Sequence, residues 1–188
     1  MKGIFLALIG PNGTGKTSLA KNLAKRLGWL YLKSPPKQFW RERSHIERLG
    51  DLQDRYKFYL KINKYLSIFI KKKIYQGKSV ILDRYYLDTW ITHNQIIQEK
   101  DFRGLLEPNL TILVTCTVKK QLKRLAKRKK LSTSEKRYST AQLNSLTQTY
   151  RKIATRATRL LLINTDKKTK KQNLAITLDA LKKLELIS

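Results

Sequence analysis

Acidic residues are scarce in this chain. Asp and Glu number 13 against 41 Lys and Arg, a formal net charge of +28 over 188 residues. The excess is not confined to a tail. Residues 1–100 carry 20 basic and 7 acidic residues (+13), and residues 101–188 carry 21 and 6 (+15). Such a field attracts polyanions: nucleotides, nucleic acid or anionic membrane. A solvated, lysine-rich surface is the simpler account of the same numbers. Cysteine is nearly missing as well. Cys116 stands alone, which excludes an internal disulfide and fits a reducing compartment, so a cytoplasmic protein is expected. His45 and His93 lie far apart and, with one cysteine, make no zinc set. No apolar run approaches the ~20 residues needed to cross a membrane. Met1-Lys2-Gly3 leads straight into an apolar run, so no signal peptide is expected. A hydrophobic content of 41% suits one globular domain spanning residues 1–188.

Glycine is also sparse, with 8 residues, yet three of them fall within GPNGTGKTS at positions 10–18. The spacing Gly10-x-x-x-x-Gly15-Lys16-Thr17 is the P-loop pattern. Glycines let such a loop wrap so that successive N–H groups point at phosphate oxygens, and the following helix aims its positive end at the same place. Lys16 is expected to reach the β/γ-phosphates, and the Thr17 hydroxyl to ligate Mg²⁺. A bare glycine turn between strand and helix is the alternative. The context opposes it: residues 4–9 read as a buried strand, and Leu19, Leu23 and Leu27 repeat at helical spacing.

Further along, apolar runs alternate with helical patterns. Strands are expected at residues 29–32, 79–82, 110–115 and 160–163. Helices are expected at 37–50, 51–76, 87–100, 119–130, 140–156 and 168–185. On the long pattern 51–76, Leu52, Tyr56, Tyr59, Leu60, Asn63, Leu66, Ile70 and Ile74 track one broad face. This alternation predicts an α/β fold with a parallel sheet covered on both faces and a site at the C-terminal ends of the strands.

A second constellation follows the third strand. Asp83 is placed to face the Mg²⁺ shell, directly or through water, and Arg84 to hold an acceptor phosphate. The third is the run from Lys119 to Arg137, with ten basic residues and one acid, Glu135. A lid carrying arginine serves phosphoryl transfer, a nucleic-acid track serves a polymer, and a solvated helix face serves neither.

GPNGTGKTS, VILDRYYLDTWITH and LKRLAKRKK, in this order and spacing, resemble the thymidylate kinase family of nucleoside monophosphate kinases. The resemblance implies a single-domain P-loop kinase fold: a five-stranded parallel sheet with the first strand central, flanked by helices, and a basic lid near residues 124–138. It implies ATP and Mg²⁺, with Gly10, Asn12, Gly13, Thr14, Gly15, Lys16, Thr17 and Ser18 around the donor phosphates and Thr17 and Asp83 at the metal. Lys16, Asp83, Arg84, Arg124 and Arg128 are the implied catalytic residues. Arg84, Thr89, His93 and Phe58 or Tyr59 are implied to line the acceptor pocket, the aromatic stacking on the base. Residues 164–166 are implied to border the adenine. Family members are often dimers, and helix 51–76 could pair two subunits. The chain departs from the family's pattern at Asn12 (usually Asp), Gly13 (Arg in some members), Lys33-Ser34-Pro35 (Arg-Glu-Pro) and Ile62-Asn63 (an arginine). The donor parts are intact and the acceptor parts altered. The expected function is ATP-dependent phosphorylation of a nucleoside monophosphate, foremost dTMP. The alternatives are a kinase acting on a nucleic-acid 5′-hydroxyl and a nucleotide-binding protein without turnover.

Overall fold

The computed structural model describes residues 3–128 and 139–187. Five strands form one sheet: β1 (Phe5–Ile9), β2 (Leu30–Lys33), β3 (Val80–Asp83), β4 (Leu110–Thr115) and β5 (Leu160–Asn164). Their order is β2-β3-β1-β4-β5, and every pairing is parallel. The helices are α1 (Lys16–Leu27), α2 (Trp40–Leu49), α3 (Leu52–Tyr75), α4 (Tyr86–Thr92), α5 (Val118–Ala126), α6 (Thr140–Ala154) and α7 (Lys170–Lys183). Parallel neighbours need crossovers, and the helices that supply them cover both faces of the sheet.

The alternation of side chains along β1 divides the core in two. Phe5, Ala7 and Ile9 pack with residues of α3, α4 and α6, whereas Leu6 and Leu8 pack with Leu19, Leu23 and Leu181 of α1 and α7. All five residues of β1 are at most 1% exposed. Burial of each large apolar side chain stabilises the fold by about 1.5–3 kcal/mol, so the central strand is the best anchored part of the molecule. The loops at its C-terminal end are built on that anchor.

Two helical expectations need correction. The pattern at 87–100 predicts one helix, but α4 ends at Thr92 and only a single 3₁₀ turn, Glu99–Phe102, follows. The cause is local competition for carbonyls. The Thr92 hydroxyl donates to the Asp88 carbonyl at 2.9 Å, and the His93 ring Nδ1 lies 2.9 Å from the Thr89 carbonyl oxygen. The basic run expected over 119–130 is helical only to Ala126. Residues 129–138, which hold most of the expected lid and Arg137, lie outside the described residues. On α3 the buried set is Tyr56, Phe58, Ile62, Asn63, Leu66, Ser67 and Ile70, while Leu52 is exposed. The buried face therefore takes in Phe58 and Ile62, which belong to the same core cluster as Phe5, Tyr85 and Tyr150.

Candidate active site

The loop after β1 carries the first half of the site. At Gly10 the backbone takes φ 139°, and a Cβ would meet the Val114 carbonyl oxygen at 2.2 Å. At Gly13 φ is 81°, and a Cβ would lie 2.9 Å from the Gln121 carbonyl oxygen. Only glycine fits either position. The loop closes on itself: the Thr14 hydroxyl donates to the Pro11 carbonyl at 3.0 Å, and Lys16 Nζ donates to the same oxygen at 2.8 Å. Gly15 is the N-cap of α1, whose first turn contains Lys16, Thr17 and the exposed Ser18.

Lys16 is only 5% exposed. Burial, with the Arg84 guanidinium nearby, lowers its ammonium pKa to about 7, against a partial counter-effect of Asp83 and Asp88. An amine so placed gains its charge most readily when an anion enters beside it.

The register of the sheet brings in the second half. Leu8 pairs with Asp83, and the Arg84 N–H donates to the Leu8 carbonyl at 3.0 Å, so the end of β3 stands beside the start of the loop. The Thr17 hydroxyl donates to Asp83 Oδ2 at 2.5 Å, and the Tyr31 hydroxyl donates to the same atom at 3.3 Å. Asp83 Oδ1 is buried without a hydrogen-bond partner among the described residues. A bare carboxylate oxygen beside a threonine hydroxyl is a hard-oxygen pair that suits Mg²⁺.

Arg84 adopts φ 78°, a left-handed conformation rare outside glycine. Its Nη2 donates to the Asn12 amide oxygen in the loop. Its Nη1 donates to Asp88 Oδ1 at 2.6 Å and to the Tyr150 hydroxyl at 3.1 Å. Burial opposes its charge, but Tyr150, Asp88 and Asp83 more than offset that, and its pKa lies above the usual arginine value.

The residues expected to line the acceptor pocket lie farther along α3 and α4. The Thr89 hydroxyl, buried, accepts from Asn63 Nδ2 at 2.9 Å. The His93 ring sits 5.9 Å from the Tyr59 ring and 5.7 Å from the Tyr56 ring. Burial lowers the His93 pKa, so the imidazole is neutral, with Nδ1–H donating to the Thr89 carbonyl. Of the two candidate aromatics, Tyr59 is brought to His93. Phe58 instead lines a cavity of about 440 Å³ between α2 and α3, with Ile46, Leu49 and Lys61. No residue of the phosphate loop lines that cavity.

Arg124, on α5, faces the back of the loop. Its Nη1 donates to the Gly13 and Thr14 carbonyls at 3.2 and 2.9 Å, and its Nη2 to the Thr165 carbonyl at 3.2 Å. The Thr165 hydroxyl donates to the Thr14 carbonyl at 2.8 Å. The segment 164–166 and α5 are therefore strapped together behind the loop. Arg128 lies past the end of α5, exposed, with its N–H on the Leu125 carbonyl.

Several members of this constellation are not singled out by the sequence. Asp88 stands four residues after Arg84, the spacing of a helical ion pair, and that signal was available. Tyr31, Tyr150 and the Arg43–Glu47 pair beside Tyr59 arrive from distant elements, and no local pattern marks them.

Comparison with known proteins agrees with this fold. No curated protein matches the chain in sequence. Among solved structures, thymidylate kinase from Ehrlichia chaffeensis superimposes with a TM-score of 0.71 at 16% identity, covering 96% of this chain and 100% of that one. Thymidylate kinase from Candida albicans also gives 0.71 at 16% identity, covering 98% and 93%. Deoxyadenosine kinase from M. mycoides with bound dCTP gives 0.64 at 17% identity, covering 96% and 100%. At such identities these likenesses establish the fold. The family model described as thymidylate kinase matches residues 9–176, nearly the whole chain. With a P-loop on β1, an Asp-Arg pair on β3 and a family match across both, the chain belongs to the thymidylate kinase family of nucleoside monophosphate kinases.

Proposed function

We propose that this protein transfers the γ-phosphoryl group of ATP, bound with Mg²⁺, to the phosphate of a nucleoside monophosphate, and that dTMP is its acceptor. The observation that carries the monophosphate is the state of the carboxylates. An acceptor hydroxyl must lose a proton, so it needs a free base within reach. Among the described residues, Asp88 is engaged by Arg84, Tyr150 and the Tyr85 N–H, and Asp83, whose Oδ2 accepts from Thr17 and Tyr31, leaves only Oδ1, the oxygen this reading gives to the metal. A phosphate acceptor brings its own oxyanion and needs no base. It needs a guanidinium, and Arg84 turns one toward the loop.

In this reading the loop amides and Lys16 hold the β/γ-phosphates, and Thr17 and Asp83 supply oxygens to the metal. A Mg²⁺ held by these two residues would supply charge neutralisation for the transferring group. An acceptor phosphate oxygen, held by Arg84, attacks the γ-phosphorus. The bond to the β–γ bridging oxygen breaks, and that oxygen leaves with its electron pair on ADP. Lys16 stabilises charge gathering there. Arg124 holds the loop in shape from behind. Tyr59 and His93 form an aromatic wall for the acceptor base.

The name of the M. mycoides structure raises the competing possibility of a nucleoside acceptor. A panel of dTMP, the other deoxynucleoside monophosphates, free deoxynucleosides and a 5′-hydroxyl oligonucleotide, each with ATP and Mg²⁺, separates the readings. Formation of dTDP is expected. Phosphorylation of a nucleoside or the oligonucleotide, with no monophosphate turned over, would reject the proposal.

A further inference from the structure

Arg84 is not aimed by its own backbone alone. The left-handed φ of 78° costs of the order of 1–3 kcal/mol for a residue with a Cβ, and the long side chain beyond it retains several rotamers. Two hydrogen bonds at its Nη1, and two more that anchor their acceptors, remove that freedom. Asp88 is anchored in the first turn of α4, where its Oδ2 accepts the Tyr85 N–H at 3.2 Å. Its Oδ1 takes the Arg84 Nη1 at 2.6 Å and the Tyr150 hydroxyl at 2.7 Å. Tyr150 reaches in from α6, is 1% exposed, and accepts from Arg84 Nη1 at 3.1 Å. Asp88, Tyr150 and Arg84 therefore close a triangle in which both hydrogens of Nη1 have partners and the tyrosine both donates and accepts.

The opposite end of the guanidinium is treated differently. Among the described residues, Nη2 donates to the amide oxygen of Asn12, a neutral acceptor on the phosphate loop. A phosphate oxygen bears charge and makes a charge-assisted bond roughly twice as strong, so it outcompetes the amide for that nitrogen. It cannot readily draw Arg84 away from Asp88, which is itself charged and buried.

We propose that Asp88 and Tyr150 are positioning residues for the acceptor phosphate: they lock the Nη1 end of Arg84, so that its Nη2 end is presented where Asn12 now sits. The proposal rests on the reading of Arg84 as the acceptor-phosphate ligand. It adds that two residues outside the P-loop and the Asp-Arg pair control acceptor capture without touching ATP. A plain structural role, an ion pair pinning α4 to α6, would use the same contacts and must be told apart.

A double-mutant cycle does so. Tyr150→Phe, Asp88→Asn, Arg84→Ala and the pairwise combinations with Arg84→Ala are assayed with dTMP and ATP varied separately. Isothermal titration with dTMP serves any variant too slow for kinetics, and thermal melts check folding. Tyr150→Phe is expected to raise the dTMP KM or Kd about tenfold, as for loss of a hydrogen bond to a charged group, with the ATP KM within about twofold of the parent. In the Arg84→Ala background the same substitution is expected to change dTMP binding by less than about twofold, because its target is gone. If Tyr150→Phe and Asp88→Asn multiply the loss in that background, or raise the ATP KM in parallel, they act structurally and the proposal is overturned. If Arg84→Ala itself leaves dTMP binding intact, the assignment of Arg84 falls, and the positioning role with it.

Discussion

The low pKa of Lys16 makes nucleotide binding a proton-coupled event. Lowering an ammonium from 10.5 to about 7 corresponds to about 5 kcal/mol of disfavour for the charged form. An incoming triphosphate reverses the sign of that environment, so the bound complex holds the lysine charged. Above pH about 7 the free protein must then take up a proton on binding, approaching one per nucleotide near pH 9. ATP affinity is accordingly expected to fall by up to about tenfold per pH unit between pH about 7 and about 9. Phosphate itself has finished titrating by then, with its last pKa near 6. Burial and Asp83 push Tyr31 well above its ordinary value, so it stays neutral over the window. Calorimetry in buffers of different ionisation enthalpy counts the protons, and Lys16→Met should abolish both the uptake and the slope. Stability of the nucleotide-free protein runs the other way. The unfolded chain binds more protons at this lysine from pH about 7 up to 10.5, so the Lys16 contribution to stability rises with pH across that range. ATP affinity that stays flat from pH 7 to 9, with no proton uptake in the parent protein, would refute the account.

Arg124→Lys keeps the charge but loses the fork that spans the Gly13, Thr14 and Thr165 carbonyls. It should weaken ATP and lower kcat by roughly tenfold, while the dTMP KM changes little, a split that steady-state kinetics reads directly. Salt tests the charge: between about 50 and 200 mM, dTMP turnover should fall only modestly, whereas a polymer held through about six or more phosphates would lose ~10³-fold in affinity. Tight oligonucleotide binding that persists at the higher salt would reject a general surface-charge account.

The loop half of the candidate site was legible in the sequence because it is made of backbone. Gly10 and Gly13 are required wherever a loop must pass within van der Waals distance of Val114 and Gln121, and that requirement leaves a mark at fixed spacing. Asp83 was legible for a related reason, since an apolar strand carries it to the sheet's C-terminal edge beside β1. The five strands and their parallel pairing followed from the alternation of apolar runs with helical patterns, whereas the central place of the first strand was implied by the family resemblance alone. The end of α4 did not, because side-chain bonds from Thr92 and His93 to the helix carbonyls decide it and residue periodicity does not register them. The surroundings of the residues expected at the acceptor were legible only in part. Tyr150 lies 66 residues from Arg84, and Tyr59 meets His93 across two helices. Only tertiary packing brings these pairs together, so no spacing rule finds them.

Charge, the first feature of the sequence, has a direction once the elements are in place. Four acids, Glu42, Glu47, Asp51 and Asp54, belong to α2, to the turn after it and to the start of α3, and two of them pair with local cations, Glu42 with Lys61 and Glu47 with Arg43. The first turns of α1, α5, α6 and α7 contain no acid. Helix N-termini carry partial positive charge, so acids would ordinarily be favoured there by about 0.3–1 kcal/mol each. Instead α7 starts behind Lys167 and Lys168 with Lys170 and Lys171, all exposed. The one acid of that segment, Asp166, is engaged by the Thr117 N–H and hydroxyl at 2.8 and 2.9 Å, while Lys120 donates to its backbone carbonyl. Lys119 and Lys123 of α5 stand exposed on the same side. Parallel strands put the N-termini of α1, α5 and α7 at the sheet edge where the phosphate loop lies, so the exposed lysines at the start of α5 and α7 belong to the same edge. There they raise the local concentration of any phosphorylated ligand and speed its capture, an effect that salt removes before it touches chemistry. The salt dependence of kcat/KM for ATP, set beside that of kcat, therefore measures how much of the +28 charge serves the reaction.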